Sequence, residues 1–120
     1  MCLVVFRLGG VNMNNIKKIS VHELHKKIGK VNIIEIRESC EVNGGKIPTS
    51  EIVLSIGIQM NADVFLNKNT LYYVACLSGY GNYRVVKMLQ EKGYNVINIE
   101  GGTMEYKKYY DLEYIKNSNC

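Results

Sequence analysis

Apolar residues along this chain keep two rhythms. After a short first strand at residues 16–19, four runs are nearly continuous: residues 31–36, 52–54, 71–75 and 96–99. They are rich in isoleucine, valine and tyrosine, and such unbroken runs predict strands covered on both faces of a parallel sheet. Between them the apolar positions recur every third or fourth residue, which predicts helices. Ser20-Val21-His22-Glu23 has the spacing of a capping box, Leu24 and Ile28 follow on one face, and Gly29 ends the pattern. A brief helix is expected over residues 38–42, closed by Gly44-Gly45. Residues 55–66 carry a mixed pattern and are expected to be helical over their second half. Asn82 is placed to cap a helix whose Val85, Val86 and Leu89 share a face, and Gly93 stops it. A last helix is expected over residues 103–110, after the turn Gly101-Gly102.

Strands alternating with helices through short connections imply an α/β fold, with a central, mostly parallel five-stranded sheet and helices on both faces. Ligands of such sheets gather at the carboxyl ends of the strands. Arg37, Cys76 and Gly101-Gly102 each end or follow a predicted strand, so all belong to that edge.

The stretch 71–93 organises the rest. Cys76 stands where the fourth strand ends, and Leu77-Ser78-Gly79-Tyr80-Gly81 leaves room only for a tight loop before the helix at Asn82. A loop curled around a thiol aims backbone N–H groups at its sulfur. The following helix adds the positive end of its dipole. Both favour a reactive thiolate; the alternative, and the commoner fate of a lone cysteine, is a small apolar residue ending a buried strand. Cys40 also follows a predicted strand and is a second candidate thiol, with an idle role the commoner fate of such a residue.

Four segments then fall into a familiar order. They are Ile33-Ile34-Glu35-Ile36-Arg37-Glu38-Ser39-Cys40-Glu41, Gly45-Lys46-Ile47-Pro48, Cys76 with its loop, and Val96-Ile97-Asn98-Ile99-Glu100-Gly101-Gly102. Together they resemble a single rhodanese-like domain, the sulfurtransferase fold, over about three quarters of the chain. The resemblance implies the three-layer rhodanese-like architecture. It also implies a cysteine nucleophile at Cys76, stabilised by the backbone of Leu77, Ser78, Gly79, Tyr80, Gly81 and Asn82. Arg37 and Glu35 would support the site, and Arg84 lies close enough along the helix to reach back. The expected partners are a small sulfur-containing anion such as thiosulfate, or a protein persulfide, as donor, and a thiol or cyanide as acceptor. No cofactor or metal is called for.

The sequence departs from the family pattern at several places. Glu35 stands where an aspartate is usual, and Lys46, Thr49 and Ser50 replace parts of the usual Gly-His-Ile-Pro-Gly-Ala. Gly81 occupies the position of an arginine that many active members carry five residues after the cysteine, and Tyr106 replaces a tryptophan. Gly81 favours a second reading, a module of low turnover that binds a partner or carries sulfur. A phosphatase of the related fold needs a longer loop ending in arginine; that position is Asn82.

Composition narrows the field further. With 120 residues the chain builds one core, expected over residues 13–110, with 1–12 an extension of no assigned role and 111–120 a tail without a packing signal. The net charge of +4 is spread over short pairs such as Lys17-Lys18 and Lys107-Lys108, not the stripe that nucleic acid requires. The apolar start, residues 1–10, is interrupted by Arg7 and is too short to cross a membrane. Cys2, Cys40, Cys76 and Cys120 form no C-x-x-C pair, which points to a reducing cytoplasm and not to a disulfide framework or a metal site. His22 and His25 are expected on the surface of the first helix. Nothing in the composition fixes an oligomeric state.

Overall fold

A computed structural model describes residues 16–38, 45–76 and 82–115. Its centre is a five-stranded sheet formed by β1 (Lys18–Ile19), β2 (Asn32–Arg37), β3 (Glu51–Leu54), β4 (Leu71–Cys76) and β5 (Asn95–Ile99). The strand order is β1-β5-β4-β2-β3, and all four ladders are parallel. The helices are α1 (Val21–His25), α2 (Ser55–Met60), α3 (Asn82–Glu91) and α4 (Gly102–Tyr109), with a 3-10 turn at Ala62–Val64.

Strand alternation sorts the core into two halves. Ile34, Ile36, Val74 and Val96 point to one face, where they meet Ile58 of α2 and Val85, Val86 and Leu89 of α3. Ile33, Tyr73, Ala75 and Ile99 point to the other, against Val21 and Leu24 of α1 and Tyr106 of α4. The three-layer α/β architecture expected from the sequence is present. The Ser20 side chain accepts a hydrogen bond from the Glu23 amide at 3.1 Å, so the capping spacing does cap α1.

One expectation is reversed. Residues 55–66 are helical over their first half, not their second: α2 begins at Ser55, directly after β3. The misleading signal is the alternation Ile52, Leu54, Ile56, Ile58, Met60, which continues the strand rhythm into a helix. Asn61, with φ −154° and ψ 81°, then breaks the helix and leaves only the 3-10 turn. Asn82 also differs slightly, since it is the first residue of α3 and not the one before it. The helix expected over 38–42, and Cys40 within it, fall almost wholly outside the described residues.

The segment after Tyr110 has a place that the sequence did not announce. Lys46 and Glu113 form an antiparallel bridge, with the Lys46 amide donating to the Glu113 carbonyl at 3.0 Å and the Glu113 amide returning a bond of 2.7 Å. Gly45 is required there, because a Cβ would stand 2.4 Å from the Glu113 carbonyl oxygen. Glu113 also holds a strained neighbour. Thr49 sits at φ +69°, where β-branched residues are rare, and its amide donates to Glu113 Oε1 at 2.9 Å.

Such strain costs about 1–3 kcal/mol, while a glycine returns only about 0.4–1 kcal/mol of that through the freer unfolded chain. Thr49→Gly is therefore expected to raise the urea midpoint. A lower midpoint would mean that the threonine is not strained.

Candidate active site

β4 lies between β5 and β2, so the carboxyl ends of those two strands flank Cys76. Cys76 is the last residue of β4 and is partly exposed. α3 opens six residues later. Its ten residues direct the positive end of the helix dipole toward this edge. Leu77, Ser78, Gly79, Tyr80 and Gly81 lie outside the described residues, and Arg84 is exposed in the first turn of α3.

On the neighbouring strand β2, a buried polar frame is centred on Glu35. A carboxylate in the middle of Ile-Ile-Glu-Ile must be supplied with donors, because burying an unsatisfied charge costs several kcal/mol. Glu35 is fully buried and has four. Arg37 Nη2 donates to Oε1 at 2.7 Å and Thr103 Oγ1 to the same oxygen at 2.5 Å. The Ile47 amide donates to Oε2 at 2.6 Å and Ser50 Oγ at 2.8 Å. Arg37, only 4% exposed, also donates from Nη2 to the Gly45 carbonyl at 3.0 Å.

These bonds tie two other segments to the end of β2: the turn 45–50 that leads into β3, and the first turn of α4. Gly101 at φ +79° makes the sharp turn after β5 that delivers Thr103 to the carboxylate. The sheet register shows which side each group takes. Glu35 pairs with Ala75, and Ile36 with Cys76. The carboxylate thus shares its face with Ala75 beneath α1 and α4, while the Cys76 side chain leaves β4 on the α3 side. Glu35 and Arg37 secure the strand ends around the thiol from the opposite face of the sheet.

Ser50, Thr103 and the Ile47 amide were not singled out from the sequence as partners of this frame. The signal was present: a glutamate inside an apolar strand predicts hydroxyl and amide donors at neighbouring turns. Tyr106, in place of the family tryptophan, is buried, and its hydroxyl shares a hydrogen bond of 2.8 Å with His25 Nδ1. His22 and His25 remain exposed, as expected, yet both are held by tyrosines of α4 and the residue after it. Among the described residues, no group of three or more His, Cys, Asp or Glu side chains is arranged to hold a metal ion. No helix among them is long and apolar enough to cross a membrane.

A parallel α/β sheet with a partly exposed cysteine at the carboxyl end of its middle strand, ahead of a helix N-terminus, defines a class of cysteine-centred α/β domains. Within that class the chain belongs to the rhodanese-like domain family, whose model matches residues 20–109. It is 34% identical over 95 residues to the Bacillus subtilis (strain 168) protein named "Putative sulfurtransferase YtwF", covering 77% of this chain and 91% of that one. The fold is similar to that of SSP1007 from Staphylococcus saprophyticus subsp. saprophyticus, with TM-score 0.68, 34% identity, and coverage of 76% of this chain and 93% of that one. A rhodanese-like domain protein from Staphylococcus aureus is also similar, with TM-score 0.67, 31% identity, and coverage of 76% and 91%.

Glu35→Gln tests the frame. The amide offers one acceptor oxygen where the carboxylate offered two, and turns an NH2 toward donors. Breaking a buried charge pair in this way costs about 3–5 kcal/mol. Urea denaturation should show a loss of that order, and a loss under about 1 kcal/mol would mean the pair is replaceable at no cost.

Proposed function

We propose that the protein is a sulfurtransferase that moves sulfane sulfur through a persulfide on Cys76. The observation that carries this reading is the partly exposed Cys76 at the carboxyl end of the middle strand, in a chain of the rhodanese-like family. The name of the Bacillus subtilis relative supports it.

In the first half-reaction the Cys76 thiolate attacks the outer sulfur of thiosulfate. A new S–S bond forms, the old one breaks, and sulfite leaves with the bonding pair. In the second, a thiolate acceptor or cyanide attacks the outer sulfur of the persulfide. Cys76 leaves as the thiolate, and the product is a new persulfide or thiocyanate. The backbone amides of residues 77–82 are assigned the role of holding the anionic sulfur in both states. A protein persulfide serves as donor by the same displacement.

Gly81 favours a second reading, a weakly catalytic module that binds a partner or carries sulfur. An arginine at that position would give a charge-assisted contact to an oxyanion donor. Such a contact is worth about 1.5–3 kcal/mol, which is roughly ten- to two-hundredfold in affinity. The thiol itself does not depend on it.

Two measurements separate these readings. Intact mass after incubation with thiosulfate should show one added sulfur, lost on adding cyanide or a thiol, and absent in Cys76→Ser. Loading that persists in that variant refutes the proposal. Steady-state kinetics should give slow turnover with a high KM for thiosulfate, lowered by Gly81→Arg. If Arg84 reaches back to the donor, Arg84→Ala raises KM sharply instead and Gly81→Arg adds nothing. Should neither change move the KM, the anion-contact argument fails.

A further inference from the structure

The amino ends of β4 and β5 lie on the far side of the sheet from Cys76, and there the chain builds a second polar feature. An open pocket of about 280 Å³ is lined by Asn61, Ala62, Asp63, Lys68, Lys92 and Tyr94. Lys68 precedes β4, Lys92 and Tyr94 precede β5, and Asn61 to Asp63 follow α2. Neither lysine belongs to any ion pair among the described residues, although five such pairs form elsewhere.

The Lys68 side chain is held in place by two contacts. The Lys68 ammonium stands 5.1 Å from the centroid of the Tyr94 ring, a cation–π contact. Its side chain runs past Gly93, where a Cβ would stand 3.9 Å from Lys68 Cε. The one carboxylate in the pocket is engaged. Tyr94 donates its hydroxyl proton to Asp63, and this bond, together with burial and the Asp63 charge, pushes the tyrosine up to about 12. Tyr94 therefore remains a neutral donor at neutral pH. Three carbonyls in the last turn of α3 are also engaged. The carbonyls of Met88, Leu89 and Gln90 accept from the amides of Lys92, Tyr94 and Gly93. Two lysines against one aspartate leave the pocket with a net positive charge.

We infer that this pocket, remote from Cys76, binds an oxyanion group, a carboxylate or a phosphate, between Lys68 and Lys92. Its volume is near the low end of the range for small-molecule sites, about 300–1,000 Å³, which suits one anionic group and its immediate carrier. Apolar surface adjoins it along the chain. Met60 and Val64, on either side of Asn61 to Asp63, are 78% and 67% exposed. The inference does not depend on sulfur transfer.

The test is a titration of the full-length, isotope-labelled protein followed by amide NMR, with inorganic phosphate in one arm and acetate in the other. Ionic strength is held constant with sodium chloride, so that general screening does not masquerade as binding. Saturable shifts are expected at residues 61–63, 68 and 92–94, with the amides of Arg37 and Thr103 unmoved. The double variant Lys68→Ala/Lys92→Ala should weaken binding at least about tenfold while its spectrum stays folded, since both contacts are charge-assisted. Lys17→Ala and Lys108→Ala should leave binding unchanged. Saturation by phosphate alone assigns the site to phosphate groups, saturation by acetate alone assigns it to carboxylates, and equal saturation by both assigns it to oxyanions of either kind. Shifts that never saturate, that spread over the other lysine pairs, or that survive the double variant overturn the inference.

Discussion

The carboxyl edge of this protein depends on one buried charge. Glu35 accepts bonds from Arg37, Thr103, Ser50 and the Ile47 amide, and these donors come from three segments that have no sheet ladder with one another. A buried ion pair is seldom a large net source of stability. What it supplies here is position. A charge with four donors tolerates little displacement, because losing any one of them exposes the cost of desolvation. The turn 45–50, the turn at Gly101 and the end of β2 are thereby fixed in relation to one another. The end of β4 runs among them.

Frame and chemistry sit on opposite faces of the sheet. Ala75 faces the carboxylate side, and Cys76 leaves β4 on the side of α3. This division explains why the two principal departures from the family pattern have separate consequences. Glu35, longer than the usual aspartate, belongs to the frame, and its carboxyl oxygens find two donors each. Gly81, on the proposed function, concerns the donor's anionic group. On the proposed function, the protein keeps the architecture that holds a sulfur-bearing cysteine and gives up part of the grip on thiosulfate.

Most of the architecture was legible because the strands are short, apolar and separated by clear punctuation, as in Gly29, Pro48 and Gly93. The Ser20 cap was legible because its mechanism is local. Failures came where local and global signals disagreed. Ile56 and Met60, exposed on α2, prolong a period of two that belongs to β3. The pairing of Lys46 with Glu113 joins residues 67 positions apart and leaves no local mark. In the site, Arg37, Cys76 and Gly101-Gly102 were legible as residues at one edge, and Glu35 through the family resemblance. The donors Ser50 and Thr103 were not, because a hydroxyl in a turn reads as a solvent group until a buried carboxylate is known to face it.

The frame's dependence on a shared carboxylate is tested most directly by a double-mutant cycle between Ser50→Ala and Thr103→Val, read by urea denaturation. The two hydroxyls come from segments 53 positions apart in sequence and meet through Glu35. If one carboxylate anchors both, removing one donor changes the worth of the other. The cycle should then give a coupling of at least about 0.5 kcal/mol, within the range for residues in one network. Additivity within about 0.3 kcal/mol, as for independent sites, would contradict the account.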